Sequence, residues 1–451
     1  MSRQRIVITG MGWVNPLAHD VPGTWAGLLS GRSGMGRISR FDASTFKTDF
    51  AAEVKGYTLP PRLANDPRHA DAGFNARFAL GAASQAFEQA GLAKHLADGA
   101  SFKVQPRRFG LYLGSGEGTL DFDNYAAAHV AGWNEAERTL NGRVWAETAY
   151  RRMVPQREIE QEANITLSHV AWAFGCRGPA SNCLTACAAS NQAIGEACDL
   201  LHSGEADVMF AGGAHTMIHP LGVTGFIRLT ALSSRREDPT KAARPFDQTR
   251  DGFVMGEGAG MLVLETEDHA RARGAAILAE VAGYGSSADA FRTTDMHPEG
   301  RGPQAAMMGA LRRAGINPRE PDSAGRTPVQ YIAAHGTGTK ENDKIETHAI
   351  KHTFGPHAPH IPVSSIKSMM GHLIAAAGVS GVITCVQAIR TGHVPPTINY
   401  GTPDANLDLD YVPNTSRAIL NERGQSAINA CLCNAYGFGG QNDCLVIRAA
   451  G

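Results

Sequence analysis

At 451 residues, 43% of them hydrophobic, the chain can bury a large core and has the length of two domains or of one duplicated domain. With 42 Lys and Arg against 43 Asp and Glu, its formal net charge of −1 excludes the whole-protein positive field of a nucleic-acid binder. Its eight cysteines are sparse for this length and read as reduced thiols; no run reaches membrane-spanning length, and the opening apolar run 6–10 is too short for a signal peptide. The expectation is a cytoplasmic protein without membrane insertion.

Short β-branched runs ending in glycine alternate with Ala-rich stretches, the pattern of α/β architecture with buried, largely parallel strands. The spacing predicts strands at 6–10, 109–114, 208–213 and 261–265, with helices at 76–90 and 188–203 between them. A short charged helix at 268–273 leads to a second set of strands at 277–283, 331–335, 363–367, 427–434 and 444–448. The programme starts again, which suggests duplication. Cys187 opens the helix that ends at Ser203, and His372 opens another at 375–389, so each half offers a reactive side chain at a helix start. The segment 121–162, with Trp133 and Trp145, breaks the alternation; it either caps a site, faces a partner, or is a solvated excursion.

Cys187 lies where an extended apolar run turns into a small-residue helix. A lone cysteine is most often packing. At a helix start, however, unpaired N–H groups favour the thiolate and draw the pKa below its usual value of about 8.5, which makes the sulfur a candidate nucleophile. Partners decide between these readings. Three glycine-dense loops follow strands in the second half, at 335–339, 367–372 and 436–442, and loops beyond strand C-termini are where open α/β sheets gather ligands. None of the clusters around Gly114, Gly256 or Gly336 completes a dinucleotide fingerprint, so no Rossmann cofactor is expected. His335 and His372 should sit at interior junctions, where imidazole donates hydrogen bonds to a developing oxyanion. Lys367 ends an apolar run and needs a partner if buried, for which Glu346 is suited. Cys431 and Cys433 share one face of a strand without a second pair at zinc-ligand spacing, so no metal is expected.

Thr-Ala-Cys187-Ala-Ala-Ser, Ala-His335-Gly-Thr-Gly-Thr, Ser-Ser-Ile-Lys367-Ser-Met-Met-Gly-His372 and the loop Gly437–Gly440 occur in one order. Together they resemble the β-ketoacyl-[acyl-carrier-protein] synthases of the elongating type. The resemblance runs from Val7-Ile8-Thr9-Gly10 through Arg244-Pro245-Phe246-Asp247 to the C-terminal strand. It implies a thiolase-like fold: two pseudo-symmetric βα halves, 1–266 and 267–451, in a layered αβαβα arrangement. It further implies no cofactor, an acyl carrier protein as partner, a homodimer or heterodimer, and decarboxylative Claisen condensation.

In that resemblance Cys187 holds the acyl group, His335 and His372 hold the enolate, and Lys367 with Glu346 organises them. Phe438 supplies an oxyanion-hole N–H and a gating ring between Gly437 and Gly439. Thr294, Thr337 and Thr339 match positions along the substrate arm. His215 and Glu117 depart from the family pattern, His215 standing where an acidic residue is common. The expected alternatives are a ketosynthase subunit of a type II polyketide or polyene pathway, then a non-catalytic chain-length partner, which lacks the cysteine, or a coenzyme A thiolase, which would need a second cysteine such as Cys431 or Cys433. Arg62, Arg68, Arg228 and Arg235 are expected to form a basic rim that steers an acidic carrier.

Overall fold

The computed structural model of the chain describes residues 4–97 and 101–450. Its core is one mixed sheet of ten strands. In the first half these are β1 (Ile6–Val14), β2 (Phe109–Ser115), β3 (Ala180–Cys183), β4 (Val208–His215) and β5 (Gly258–Thr266). The second half contributes β6 (Ala279–Ala288), β7 (Tyr331–Ala333), β8 (Val363–Ser364), β9 (Ala430–Gly437) and β10 (Gln441–Arg448). Across the sheet the order is β8-β7-β9-β10-β6-β1-β5-β4-β2-β3.

Read outward from the centre, the two sets have the same order and the same directions. In the first, β1–β5 and β5–β4 are antiparallel, then β4–β2 and β2–β3 are parallel. In the second, β6–β10 and β10–β9 are antiparallel, then β9–β7 and β7–β8 are parallel. Antiparallel pairing of Ile6–Ile8 with Ala279–Val281 joins them. Even the irregularities match, since the register shifts between Ile8 and Gly10 in β1 and between Val281 and Gly283 in β6.

Each half carries two kinds of helix. The outer helices include α1 (Phe74–Gln89), α4 (Ile165–Phe174), α7 (Arg301–Arg313) and α8 (Lys340–Phe354), and the central ones are α5 (Ala189–His202) and α9 (Ala377–Thr391). Strand alternation feeds both layers. Leu262 and Leu264 of β5 join the central cluster with Ile194, Val379 and Ile383, while Met261 and Val263 pack outward against Phe78 and Ala82. Likewise Cys431 and Cys433 of β9 face the central helices, and Leu432 packs with Met307 and Leu311 outside. The result is the expected α/β, thiolase-like layering, αβαβα.

Gly10 and Gly12 show why the sequence permits so close a helix. A Cβ on them would lie 2.1 Å from the Ala86 carbonyl oxygen and 1.9 Å from that of Ala82. In the second half, Gly283 and Gly285 press on the carbonyls of Ala310 and Ala306, each at 2.1 Å. The same contact is built twice.

The segment 121–162 folds as α2 (Phe122–Gly132), a short hairpin, α3 (Gly142–Arg152) and a helical turn at Pro155–Ile159, with Val130, Trp133, Leu140 and Tyr150 exposed. One sequence expectation is corrected here. The helical stretch Ile374–Thr391 does have the length and hydropathy of a membrane span, with a mean hydropathy of 1.4 over 18 residues, but 83% of it is buried, because it is the central-layer helix α9 with its lead-in turn. The expected strands at 331–335 and 363–367 are also shorter than predicted. Their C-terminal residues leave the sheet to build the site.

Candidate active site

After β3 the chain enters a 3-10 turn, Ala186–Ala188, before α5 begins. Ala186 has a φ of 48°, a left-handed conformation that costs a residue with a Cβ about 1 kcal/mol or more. The turn is tied by the Ala188 N–H donating to Thr185 O at 3.0 Å. It breaks the strand direction and presents Cys187 at the floor of a cleft. Gly437 lets the loop after β9 come alongside, since a Cβ there would stand 2.7 Å from Thr185 O and 3.4 Å from Cys187 N. The backbone N–H groups of Phe438 and of Cys187 itself both bear on the sulfur.

The predicted lowering of the thiol pKa is overturned. Burial pushes Cys187 up to about 11, against the pull of the Lys367 ammonium and of those two N–H groups. Its resting form is therefore the thiol. The helix start does not outweigh burial: the first α-helical residue is Ala189, and Cys187 is 8% exposed.

His372 Nε2 lies 3.0 Å from Cys187 Sγ. On the other side of the same ring, the Ile374 N–H donates to Nδ1 at 3.2 Å. A ring nitrogen that accepts carries no proton, so the neutral imidazole holds its N–H at Nε2, facing the sulfur. Burial and the Lys367 charge drive the pKa of both His335 and His372 well down, which keeps the rings neutral. The two rings meet edge to face at 5.5 Å, and one nitrogen of each lies within 4.8 Å of Sγ.

Lys367 and Glu346 are both buried, yet among the described residues no direct ion pair joins them. They grip opposite ends of the His335 peptide instead. Glu346 accepts from the N–H of His335 at 2.8 Å, of Gly336 at 2.7 Å and from Asn434 Nδ2 at 3.1 Å, while Lys367 Nζ donates to the His335 carbonyl. Burial lowers the lysine pKa and raises the glutamate pKa, and the attraction between the two charges opposes the lysine's shift.

The cleft encloses about 1430 Å³ out to its mouth and brings Cys187, His335 and His372 together with Thr294, Thr337, Thr339, Gly437 and Phe438. Thr337 and Thr339 share a hydroxyl hydrogen bond of 3.0 Å. Gly439, with a φ of 93°, does not line the cleft but permits the turn behind Phe438, whose ring is 38% exposed. Arg228 ends α6 (Pro220–Arg228), which carries cleft-lining Phe226, and Arg235 pairs at 3.5 Å with cleft-lining Asp251. None of the four arginines expected at the rim is among the residues lining the cleft, and Arg62 and Arg68 lie over the rings of Phe174 and Trp172. Lys340 takes a place in the lining that sequence reasoning did not give it.

Also unforeseen are Asn434, Ile374 and Phe253, whose ring packs edge-on at 5.1 Å against His372. Asn434 follows directly from the strand pairing and was readable only with the fold in hand. The equivalence of Cys187 and His372 fails too. The C-terminal 3-10 turn is Ile374–Ala376, Ile374 has a φ of 44°, and the residue standing where Cys187 stands is Ala375. Cys431 and Cys433 face the central helices and lie outside the cleft lining. Sulfur and two imidazoles are donors that suit zinc. Ligation would need a lone pair on His372 Nε2, however, and the Ile374 N–H holds the proton there, so the residues fit hydrogen-bond donation.

The family described as "Beta-ketoacyl synthase, N-terminal domain" matches residues 3–270, and "Beta-ketoacyl synthase, C-terminal domain" matches 278–401. Proteins named 3-oxoacyl-[acyl-carrier-protein] synthase 2 from Coxiella burnetii and Synechocystis are each 38% identical, over 99% of this chain and 99% of theirs. Among solved structures, a type II polyketide ketosynthase, in complex with its acyl-carrier protein and bound to a hexaketide, superposes with a TM-score of 0.83 at 31% identity over 100% of both chains. The ishigamide ketosynthase/chain length factor gives 0.82 at 32%, also over 100% of both. A cysteine sulfur and two neutral imidazoles in one cleft thus stand in a chain that the comparisons match almost end to end, which belongs to the β-ketoacyl synthase family and is an acyl-transferring condensing enzyme.

Proposed function

We propose that the chain condenses an acyl group held on Cys187 with malonyl-acyl carrier protein in fatty-acid elongation. The carrying observation is the 3.0 Å contact between Cys187 Sγ and a His372 Nε2 whose proton is fixed by the Ile374 N–H. Cys187 Sγ attacks the acyl thioester while the oxyanion sits between the N–H groups of Cys187 and Phe438. The carrier thiol leaves with the proton that the cysteine gives up.

A malonyl thioester then enters past Phe438, with Thr294, Thr337 and Thr339 along its arm. Its carboxylate C–C bond breaks, CO2 departs, and the electron pair becomes an enolate whose oxygen accepts from the His335 and His372 rings. Each such preorganised donor is worth about 3 kcal/mol in a water-poor site. The enolate carbon attacks the acyl carbonyl, the C–S bond breaks, and one proton restores the thiol. Lys367 and Glu346 act on His335 through its peptide group.

The carrier approaches over Arg228, Arg235 and Lys340. A second copy is expected against the free edge of β3, beside the exposed apolar side chains of 121–162. The divisions 1–266 and 267–451 follow the repeated strand order, and the compartment is the cytoplasm. The test is intact mass after incubation with acyl carrier protein: wild type gains the acyl mass and Cys187→Ala does not, while adding malonyl carrier releases CO2 and the 3-oxoacyl product. Loading of Cys187→Ala would overturn the reading. The polyketide branch is supported by the likeness to a type II polyketide ketosynthase at a TM-score of 0.83. The partner-subunit reading is disfavoured by Cys187, and the thiolase reading by the placement of Cys431 and Cys433.

A further inference from the structure

Beside the cleft lies a second hollow of about 1080 Å³ out to its mouth, and its charge is one-sided. Arg319, Lys344, His348, Lys351 and His352 line it, and no acidic residue does. The acidic lining residues nearby, Asp251, Asp295 and Glu341, all belong to the cleft. Four of the five basic side chains stand on α8 for a simple reason. Ile345, Ala349, Ile350 and Phe354 bury one face of that helix in the outer core, which leaves the opposite face to solvent. On the open face Lys340, Lys344 and His348 follow at intervals of four residues, and Lys351 carries the row on. From Lys340 to Lys351 the row is about 16 Å long, at about 1.5 Å per residue.

Little on the chain neutralises this row. Among the described residues Lys351 pairs with Asp408 at 2.7 Å, but Arg319 donates to the His352 carbonyl, and neither it nor Lys340 or Lys344 has a carboxylate partner. Glu299, the acid that acts on His348, is itself held by Arg301 at 2.6 Å. The hollow also shares two walls with the cleft. One loop gives Asp295 and Met296 to the cleft and Pro298 to the hollow, while α8 begins with cleft-lining Lys340 and reaches the hollow at Lys344. Thr339 is the N-cap of α8, which sets Lys340 directly beside the threonines of the cleft. We infer that this hollow is the docking surface for an acidic carrier protein, whose carboxylates lie along Arg319, Lys344 and His348 while its arm enters the cleft past Lys340. This rests on the condensing-enzyme reading and puts the carrier's main contact on α8. Complementary charge of this kind speeds encounter and weakens as salt screens it.

The experiment gives the full-length protein either octanoyl-acyl carrier protein or octanoyl-pantetheine, which has the arm without the carrier, and follows the added mass on Cys187 with time. The double variant Lys344→Glu, His348→Glu is expected to load from the carrier about tenfold more slowly than wild type at low salt, and from octanoyl-pantetheine at the wild-type rate. Raising the salt from about 50 to about 500 mM should slow carrier loading of wild type and narrow its lead over the variant. Arg423→Glu, which reverses an exposed cation that lines neither cavity, controls for net charge and should leave both rates unchanged. The octanoyl-pantetheine rate shows whether each variant is folded; should the double variant not fold, Lys344→Gln, with a loss of about threefold from the carrier alone, takes its place. Carrier loading that is unchanged in the folded variant, slowed equally with both donors, or slowed as much by Arg423→Glu overturns this inference and leaves the condensing reading intact. Failure of both donors to load wild-type Cys187 overturns both.

Discussion

The two central turns are built alike and used differently. Ala186 and Ile374 both open a 3-10 turn with a left-handed residue, at φ 48° and 44°, and each turn feeds a central helix. The first puts a sulfur on its second residue, the second an alanine, Ala375. Before the turn the halves diverge in length. Six residues of numbering separate Ala180, the start of β3, from Ala186, whereas eleven separate Val363, the start of β8, from Ile374. The extra stretch carries Lys367 and His372. The two halves thus present matching turns, one with a cysteine on its second residue and the other preceded by a longer stretch that brings His372 to the same cleft.

The comparison breaks most sharply if the first turn is made like the second. Cys187→Ala should lower acyl loading by more than about 10⁴-fold, read by intact mass, because no other cysteine lines the cleft. Removing the imidazole donors tests the other turn. His372→Ala and His335→Ala should each slow CO2 release from malonyl carrier by about 10²–10³-fold while acyl loading falls less. Equal loss in both steps would mean the imidazoles serve the sulfur rather than the enolate.

The structural sameness is tested away from the site. Gly12→Ala and Gly285→Ala each drive a Cβ into an outer-helix carbonyl, at 1.9 and 2.1 Å, and should destabilise by similar amounts, about 1–3 kcal/mol in urea denaturation. A large difference between them would show that one half tolerates a shift that the other does not. The smallest effect concerns the thiol. With its pKa at about 11, the thiolate fraction rises tenfold per pH unit below that value, so the alkylation rate of Cys187 should climb steadily from pH 7 to 10 without a plateau. Lys367→Ala, which removes a charge that favours the thiolate, should slow alkylation at every pH in that range.

Much of this was legible because the strands are short, apolar and closed by glycine. Ile6, Val208, Met261 and Tyr331 all fall in predicted strands, and Cys187, His335 and His372 reach one cleft as the motif order implied. What was not legible depends on three-dimensional competition. A helix start argues for a low thiol pKa, but local sequence does not weigh burial against it. Spacing from helix ends paired Cys187 with His372, because the longer second loop hides the true register with Ala375. Lys367 and Glu346 were expected to pair directly; both instead bond the His335 backbone, which requires knowing where the β7 strand stops. Arg62 and Arg68 were placed by sign alone, and their side chains turn to aromatic rings of the first half's outer layer.

The Ile374 N–H has a consequence for the lifetime of the acylated protein. By occupying His372 Nδ1 it leaves that imidazole without a lone pair directed at the thioester, so the ring has no means of drawing a proton from an attacking water. In the proposed condensation, hydrolysis of the stored chain is thereby denied general-base help at the imidazole that lies 3.0 Å from the sulfur, and the acyl group would persist until a carbon nucleophile is generated beside it.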